Sequence, residues 1–515
     1  MAQAAKLNQR TLDVLNARLS FYDSSSHSRY STTLYRTPTV MNMDGKDPER
    51  VPSTYSGVIA LPLAESPCST LPHELLALIF IYAKDKKRVA HRIPIEVSVS
   101  HVCRFWRSVA LDTPVLWNRI DIYSKRSKAW IRPYLERSFQ RPLDVYVDIY
   151  RRDRILHKTP NPLTGYHTII EQLSMHIHRL RIFSLICYHR TTAVHWQSKF
   201  RNCYAPILES FSVKFGSSLS VLPGLAQFTT VLDGGSHDHL SFIETDTPNI
   251  LPQNLRNLTT LYLHGLDPSV PFSSDEFIQT FASIPSIVNL SLQGTVAFGF
   301  WPTGMPFMPQ FTLNNLKSLR LVEGGGVAIR MLLALSAQHL ESLWLECSYE
   351  NFPTHLFGAA QFNILGKPKF PNLKYLTISL DNFTTTARFA TIFPTITHLH
   401  YRYPFYNEST QLIQTFAASG WPSLQVLAFT AFKHKHARKL NTALVGILTH
   451  RRLDNNPLSR ILMDKDHIRW LDHAVPYDWE AKKLRQLVEI ELLTVDNYSE
   501  YWWSTFERNS ERGTG

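Results

Sequence analysis

A six-residue pattern, Leu-x-x-Leu-x-Leu, recurs along most of this chain and constrains its fold more than any other feature. It is clearest at Leu258-Thr-Thr-Leu261-Tyr-Leu263, Ile287-Val-Asn-Leu290-Ser-Leu292, Leu316-Lys-Ser-Leu319-Arg-Leu321 and Leu340-Glu-Ser-Leu343-Trp-Leu345. Three more copies are Leu373-Lys-Tyr-Leu376-Thr-Ile378, Ile396-Thr-His-Leu399-His-Tyr401 and Leu424-Gln-Val-Leu427-Ala-Phe429, and looser ones centre on Phe183, Phe211, Ile461 and Ile490. The centres fall at 183, 211, 261, 290, 319, 343, 376, 399, 427, 461 and 490. Their mean spacing is about 28 residues, once the interval from 211 to 261 is taken as two units with a degenerate one in Ser217–Asn249. In a strand the side chains alternate, so the last two apolar residues of each copy point to one face. One such strand cannot bury that face alone, and stacking the copies gives a parallel sheet over a continuous interior.

Between the copies lie helical segments. Ser273 and Glu276 form a capping box ahead of Phe277, Ile278 and Phe281. Further helices are expected at Ala328–Ala337, Thr385–Ile392, Thr410–Ala418 and Ala437–His450, and Pro285, Pro394 and Pro422 each precede a copy. The expected fold is therefore an α/β repeat, an irregular leucine-rich-repeat solenoid. A doubly wound α/β sheet also alternates strand and helix, but it gives no reason for the same pattern to recur. No Asn or Cys stands three residues after the last Leu of the seven clear copies, so the register stays open at this level.

The rest of the chain divides into four parts. Residues 1–22 read as an amphipathic helix with Leu7, Leu12, Leu15 and Leu19 on one side, and 23–69 as a disordered linker rich in Ser, Thr, Pro and Tyr. Residues 70–120 form a helical module, 121–497 the solenoid, and 498–515 an aromatic tail (Tyr498, Tyr501, Trp502, Trp503, Phe506) expected to pack over the open end of the repeats. In the module, Thr70 is the expected N-cap of LPHELLALIFIYAK, with Pro72 in its first turn. A second helical region is expected over Glu96–Leu111, ending near Asp112-Thr113-Pro114.

Several function classes are disfavoured. The most apolar run, Leu75 to Ala83, is far shorter than the roughly 18 residues a membrane span needs, and no secretory leader is visible at the start. An intracellular, cytoplasmic or nuclear, location is expected. Five cysteines without a CxxC pair suit free thiols in a reducing compartment, not a zinc site. The net charge of +12 raises the question of nucleic acid, yet the clusters at 151–154 and 433–439 carry no recognised binding pattern or interleaved aromatics. Solvated surface is the simpler reading of both, an acidic partner the other. No phosphate loop, GxSxG elbow or HExxH helix occurs, and Gly324-Gly325-Gly326 reads as a repeat turn. No catalytic residue, cofactor or metal is expected.

Leu71-Pro72-x-Glu74-Leu75, Ile79-Phe80, Val102-Cys103-Arg104-x-Trp106-Arg107 and Leu116-Trp117, in that order, resemble the F-box. The resemblance spans Leu71 to Trp117, with a longer insertion (Lys84 to Pro94) than the commonest form has. It implies a three-helix module that docks on the Skp-type adaptor of a cullin ubiquitin ligase. By motif position it puts Leu71, Pro72, Leu75, Ile79, Val102, Cys103, Trp106 and Trp117 in or behind that interface, Trp106 and Trp117 being the best candidates for pure core. The implied role is a non-catalytic receptor whose solenoid binds a protein target through its concave or loop face. A scaffold that engages no ligase and a nucleic-acid-binding solenoid are the other classes left open.

Overall fold

The computed structural model describes residues 71–493 except 85–92, 124–127, 150–165, 188–194, 197, 202, 216–236, 247–254, 265–273, 295–309, 323–324, 347–362, 365–366, 380–382, 403–420, 431–436 and 475–477. The segments 1–22, 23–69 and 498–515, the helix at 410–418, the capping residue Ser273, the cluster 151–154 and residues 433–436 lie outside the described residues.

The helical module opens with α1 (His73–Ala83), preceded by Pro72 as its N-cap residue. Thr70, the expected cap, is outside the described residues. The single helix expected over 96–111 is two helices, α2 (Ile95–Ser100) and α3 (Arg104–Leu111). The break falls at Cys103, which is extended at φ −156° and accepts the Trp106 N–H on its Sγ at 3.4 Å. Cysteine is not among the usual capping types, so the sequence pattern runs through the break unmarked. Apolar spacing also continues across it, because Val99 and Trp106 are both buried. A 3-10 turn (Pro114–Leu116) closes the module, and Trp117 Nε1 donates to the Ala110 carbonyl at 2.7 Å.

Fourteen strands then form one sheet among the described residues, each hydrogen-bonded to its sequence neighbours and all parallel. They are β1 (Arg119–Ile122), β2 (Leu143–Asp148), β3 (Leu180–Cys187), β4 (Ser210–Phe215), β5 (Phe242–Thr245), β6 (Thr260–Leu263) and β7 (Asn289–Gln293). There follow β8 (Ser318–Val322), β9 (Ser342–Glu346), β10 (Tyr375–Ser379), β11 (His398–Arg402), β12 (Val426–Thr430), β13 (Arg460–Met463) and β14 (Glu489–Leu492). Strands that follow one another without reversal, each beside the next, make a solenoid.

The register is the one the repeats dictate. Phe183, Phe211, Ile243, Leu261, Leu290, Leu319, Leu343, Leu376, Leu399, Leu427, Ile461 and Ile490 are paired in a single row. Ile243 supplies the degenerate unit expected in 217–249. Ile120 and Val145 extend the row by two strands that the repeat pattern missed, since neither has the leading Leu-x-x.

What locks the register is a backbone ladder at the turn before each strand. Lys317 and Ser318 N–H both donate to the Val288 carbonyl, and Lys374 and Tyr375 N–H both donate to that of Glu341. Asparagines stand before the motif instead of after it. Asn257, Asn315 and Asn372 donate their side-chain amides to the carbonyls of Asp238, Pro285 and Gln338 in the preceding unit, at 2.7, 2.9 and 2.9 Å. Each lies four residues before its strand's central leucine, which explains the recurring Asn-Leu at the head of the copies.

Helices complete the interior: α4 (Lys128–Arg137), α5 (His167–Ser174), α6 (Ser274–Ala282), α7 (Gly325–Ala334), α8 (Phe383–Ile392), α9 (Ala437–Leu453), α10 (Lys465–Ala474) and α11 (Trp479–Leu487). The helix expected at 328–337 runs three residues earlier, because Leu335–Ser336 pairs with Phe311–Thr312 in a separate ribbon. Gly325 and Gly326 therefore sit in its first turn, not in a repeat turn.

The module and the first repeat share a seam. Tyr134 of α4 donates to Glu96 Oε1 of α2 at 2.6 Å, and Glu96 is fully buried. Lys84 Nζ donates to the Val115 carbonyl and to Asn118 Oδ1, both at 2.8 Å. Tyr134→Phe is expected to remove this buried hydrogen bond and to cost about 2 kcal/mol. A urea midpoint equal to that of the parent chain would refute this assignment.

Candidate functional site

The interior of the helical module is closed by Leu76, Phe80, Val99, Trp106, Val109, Ala110 and Leu116, all buried. Phe80 and Trp106 hold α1 against α3, with ring centroids 5.1 Å apart. That contact fixes the rotation of α1 and turns another stripe outward. Leu75, Leu78 and Tyr82, at i, i+3 and i+7, are 49%, 48% and 87% exposed. Val102 and Phe105, flanking the α3 cap, are exposed as well. Single exposed apolar residues are ordinary, and here five lie on one small module.

Of the residues the sequence nominates, Pro72, Leu75, Val102 and Cys103 are exposed, and Leu71 and Ile79 are half-buried. Trp106 and Trp117 are interior and stand behind the face, not on it. Trp117 meets Tyr134 edge-on at 5.1 Å and lies under the Arg137 guanidinium at 4.4 Å, so it belongs to the seam. Leu78, Tyr82 and Phe105 were not nominated. Helical spacing from Leu75 would have found the first two.

A cavity of about 360 Å³ opens at the same seam, lined by residues that include His101, Arg107, Trp130 and Arg137. Its two arginines already serve the fold: Arg107 Nε donates to the Ser100 carbonyl at 2.7 Å, and Arg137 stacks on Trp117.

The second surface is the sheet face opposite the leucine row. In β2 burial alternates, with one side half-exposed, whereas β6 is buried throughout and β9 and β12 each carry four consecutive buried residues. A register row on this face runs Ser212, Glu244, Tyr262, Ser291, Arg320, Trp344, Thr377, His400, Ala428 and Leu462. Glu244 has three side-chain partners. Lys214 Nζ lies 2.7 Å and His264 Nε2 3.0 Å from its Oε1, and the Ser212 hydroxyl donates to Oε2 at 3.0 Å. Burial alone would raise the carboxyl, but the His264 hydrogen bond and the Lys214 charge outweigh it and hold it at about 2. Farther along, the guanidinium groups of Arg320 and Arg402 lie 4.1 and 4.7 Å from the Trp344 ring. Burial, aided by the Arg402 charge, pushes the His400 imidazole well below its ordinary range.

No group of three or more His, Cys, Asp or Glu among the described residues could hold a metal ion. No described helix is long and apolar enough to cross a membrane. The described residues thus form a parallel-strand repeat array preceded by a helical module with an exposed apolar stripe.

Residues 68–123 match the F-box-like family model. The chain thus carries an F-box-like module followed by a leucine-rich-repeat solenoid. Among solved structures it is similar to a Bacteroides fragilis protein at 13% identity, covering 47% of this chain and 66% of that one, with a TM-score of 0.25. It is also similar to the leucine-rich repeat-containing protein LegL7 from Legionella pneumophila at 14% identity, covering 50% of this chain and 91% of that one, with a TM-score of 0.26. The chain thus spans just under two thirds of the first of these structures. No curated protein matches it.

Proposed function

We propose that this protein is a non-catalytic substrate receptor of a cullin-type ubiquitin ligase. The F-box-like module docks on a Skp-type adaptor, as F-box modules generally do, and the solenoid holds a protein target. What carries the reading is the stripe Leu75, Leu78 and Tyr82 with Val102 and Phe105, exposed on a module whose interior is complete without them. The family match over 68–123 supports a Skp-type adaptor as the partner of that face.

The test is co-purification of the full chain with a Skp-type adaptor and cullin. Leu75→Asp puts a charge on the face at a half-exposed site, so the fold should survive. Loss of one hydrophobic anchor of about 2 kcal/mol corresponds to roughly thirtyfold weaker adaptor binding. If the parent chain retains no adaptor, or Leu75→Asp binds as well as the parent, the ligase reading is lost. A scaffold role then takes its place.

A further inference from the structure

The cavity of about 360 Å³ at the seam between the helical module and the first repeat draws its walls from three helices. His101 caps the C-terminus of α2, Arg107 lies on α3, and Trp130, Tyr134 and Arg137 stand at i, i+4 and i+7 along α4. That spacing brings the three α4 side chains to one stripe, where Tyr134 and Arg137 both contact the buried Trp117. No acidic side chain lines the cavity. The carboxylates of these helices and their caps are engaged elsewhere. Glu96 accepts from the Tyr134 hydroxyl at 2.6 Å, Asp112 from the Ser108 hydroxyl at 3.1 Å, and Glu136 from Arg132 Nε at 2.7 Å.

The cations, by contrast, keep donors to spare. Arg107 uses Nε alone, on the Ser100 carbonyl at 2.7 Å, so its two terminal nitrogens have no partner among the described residues. That bond fixes the guanidinium in place and occupies a carbonyl that would otherwise repel an anion. Arg137 makes its contact with Trp117 through the ring, 4.4 Å away, and the His101 ring has no hydrogen bond among the described residues. Two guanidinium groups and an imidazole, with no counter-charge in the lining, call for an anion. A phosphate monoester matches them: it carries a charge of about −1.5 to −2 and three acceptor oxygens, and the arginine fork suits its geometry. The rest of the wall is largely aromatic. Trp130 is 48% exposed there, and an indole face is a platform on which a planar ring stacks. The volume lies near the lower end of ligand pockets, about 300–1,000 Å³, and so suits a small molecule.

We propose that this cavity binds a small phosphate monoester carried on a planar ring, its phosphate held by His101, Arg107 and Arg137 and its ring laid against Trp130. Because the walls come from α2, α3 and α4, the occupant bridges the helical module and the first repeat, beside the bond between Tyr134 and Glu96. The binding does not rest on the receptor reading, since none of Leu75, Leu78, Tyr82, Val102 and Phe105 lines the cavity.

The test is calorimetric titration of the full chain with phenyl phosphate, the smallest compound of this class, and with adenosine monophosphate, a bulkier one. At least one of them is expected to bind at a single site per chain. Phenol, adenosine and inorganic phosphate should bind at least about tenfold more weakly. Trp130→Ala, at an exposed position, and Arg107→Gln should each weaken binding roughly tenfold. Arg132→Gln, on the solvent side of α4, and Leu75→Asp should bind as the parent chain does. Should Arg107→Gln also lower the urea midpoint, Trp130→Ala decides. The proposal is overturned if neither phosphate binds saturably, if the phosphate-free compounds or inorganic phosphate bind as tightly, or if Trp130→Ala keeps the parental affinity.

Discussion

Alanine at Trp106 is expected to unfold the helical module and abolish adaptor capture while the repeats stay folded. Trp106 is 6% exposed and packs on Phe80, the contact that joins α1 to α3. Removing a buried tryptophan costs about 3–5 kcal/mol, the transfer term plus the cavity left behind. A module of this size draws only about 3–5 kcal/mol from its core, so one substitution is comparable with all of it. The seam contacts of Lys84 and Tyr134 support the module from outside but do not refill the cavity. In a solenoid each unit leans on its neighbours, so damage at the head is not transmitted through fourteen strands. Limited proteolysis should cut Trp106→Ala within 71–117 and leave the sheet intact. Leu75→Asp should lose capture with no new cleavage. If Trp106→Ala resists protease and still captures adaptor, the residue is not the module's keystone.

The contrast between those two substitutions marks where the sequence was informative. The leucine rows were legible because one physical requirement, burial on one strand face, repeats at nearly constant spacing, and every expected centre from Phe183 to Ile490 falls in register. β1 and β2 were not, since Arg119-Ile-Asp-Ile and Leu143-Asp-Val-Tyr-Val alternate without the repeat's leading residues. The break at Cys103 escaped because both helices bury residues in the same core. At the docking face the motif named Leu75 and Val102, but exposure depends on how α1 is turned about Leu76 and Phe80, and only the packing tells that. The opposite sheet face was illegible for a stronger reason. Its positions hold Glu244, Tyr262, Arg320, Trp344 and His400, which share no chemistry, and nothing repeats.

That face also carries a large expected pH effect at Glu244. The Glu244 carboxyl has an ordinary value of 4.5 and is held at about 2 in the fold. A carboxylate whose value is depressed on folding contributes stability above its unfolded value and loses it as the pH falls toward the folded one. Its contribution is therefore complete above about pH 5 and drains away between about 4.5 and 2. At about 1.36 kcal/mol per unit the stake is on the order of 3 kcal/mol. The burial of Glu244 keeps this from being screened as an exposed pair would be. Glu244→Gln keeps the shape and the hydrogen-bonding capacity but removes the charge facing Lys214 and His264. It should destabilise β4–β6 by several kcal/mol at pH 7, because Lys214 then lacks its counter-ion. It should also flatten the acid limb of a urea-midpoint profile between pH 5 and 2.5. Parallel acid limbs for parent and variant would mean that the carboxylate is not the group that titrates. Lys214→Met provides the complementary measurement. It leaves Glu244 with the hydrogen bonds of His264 and Ser212 alone, so the limb should shift to higher pH without vanishing.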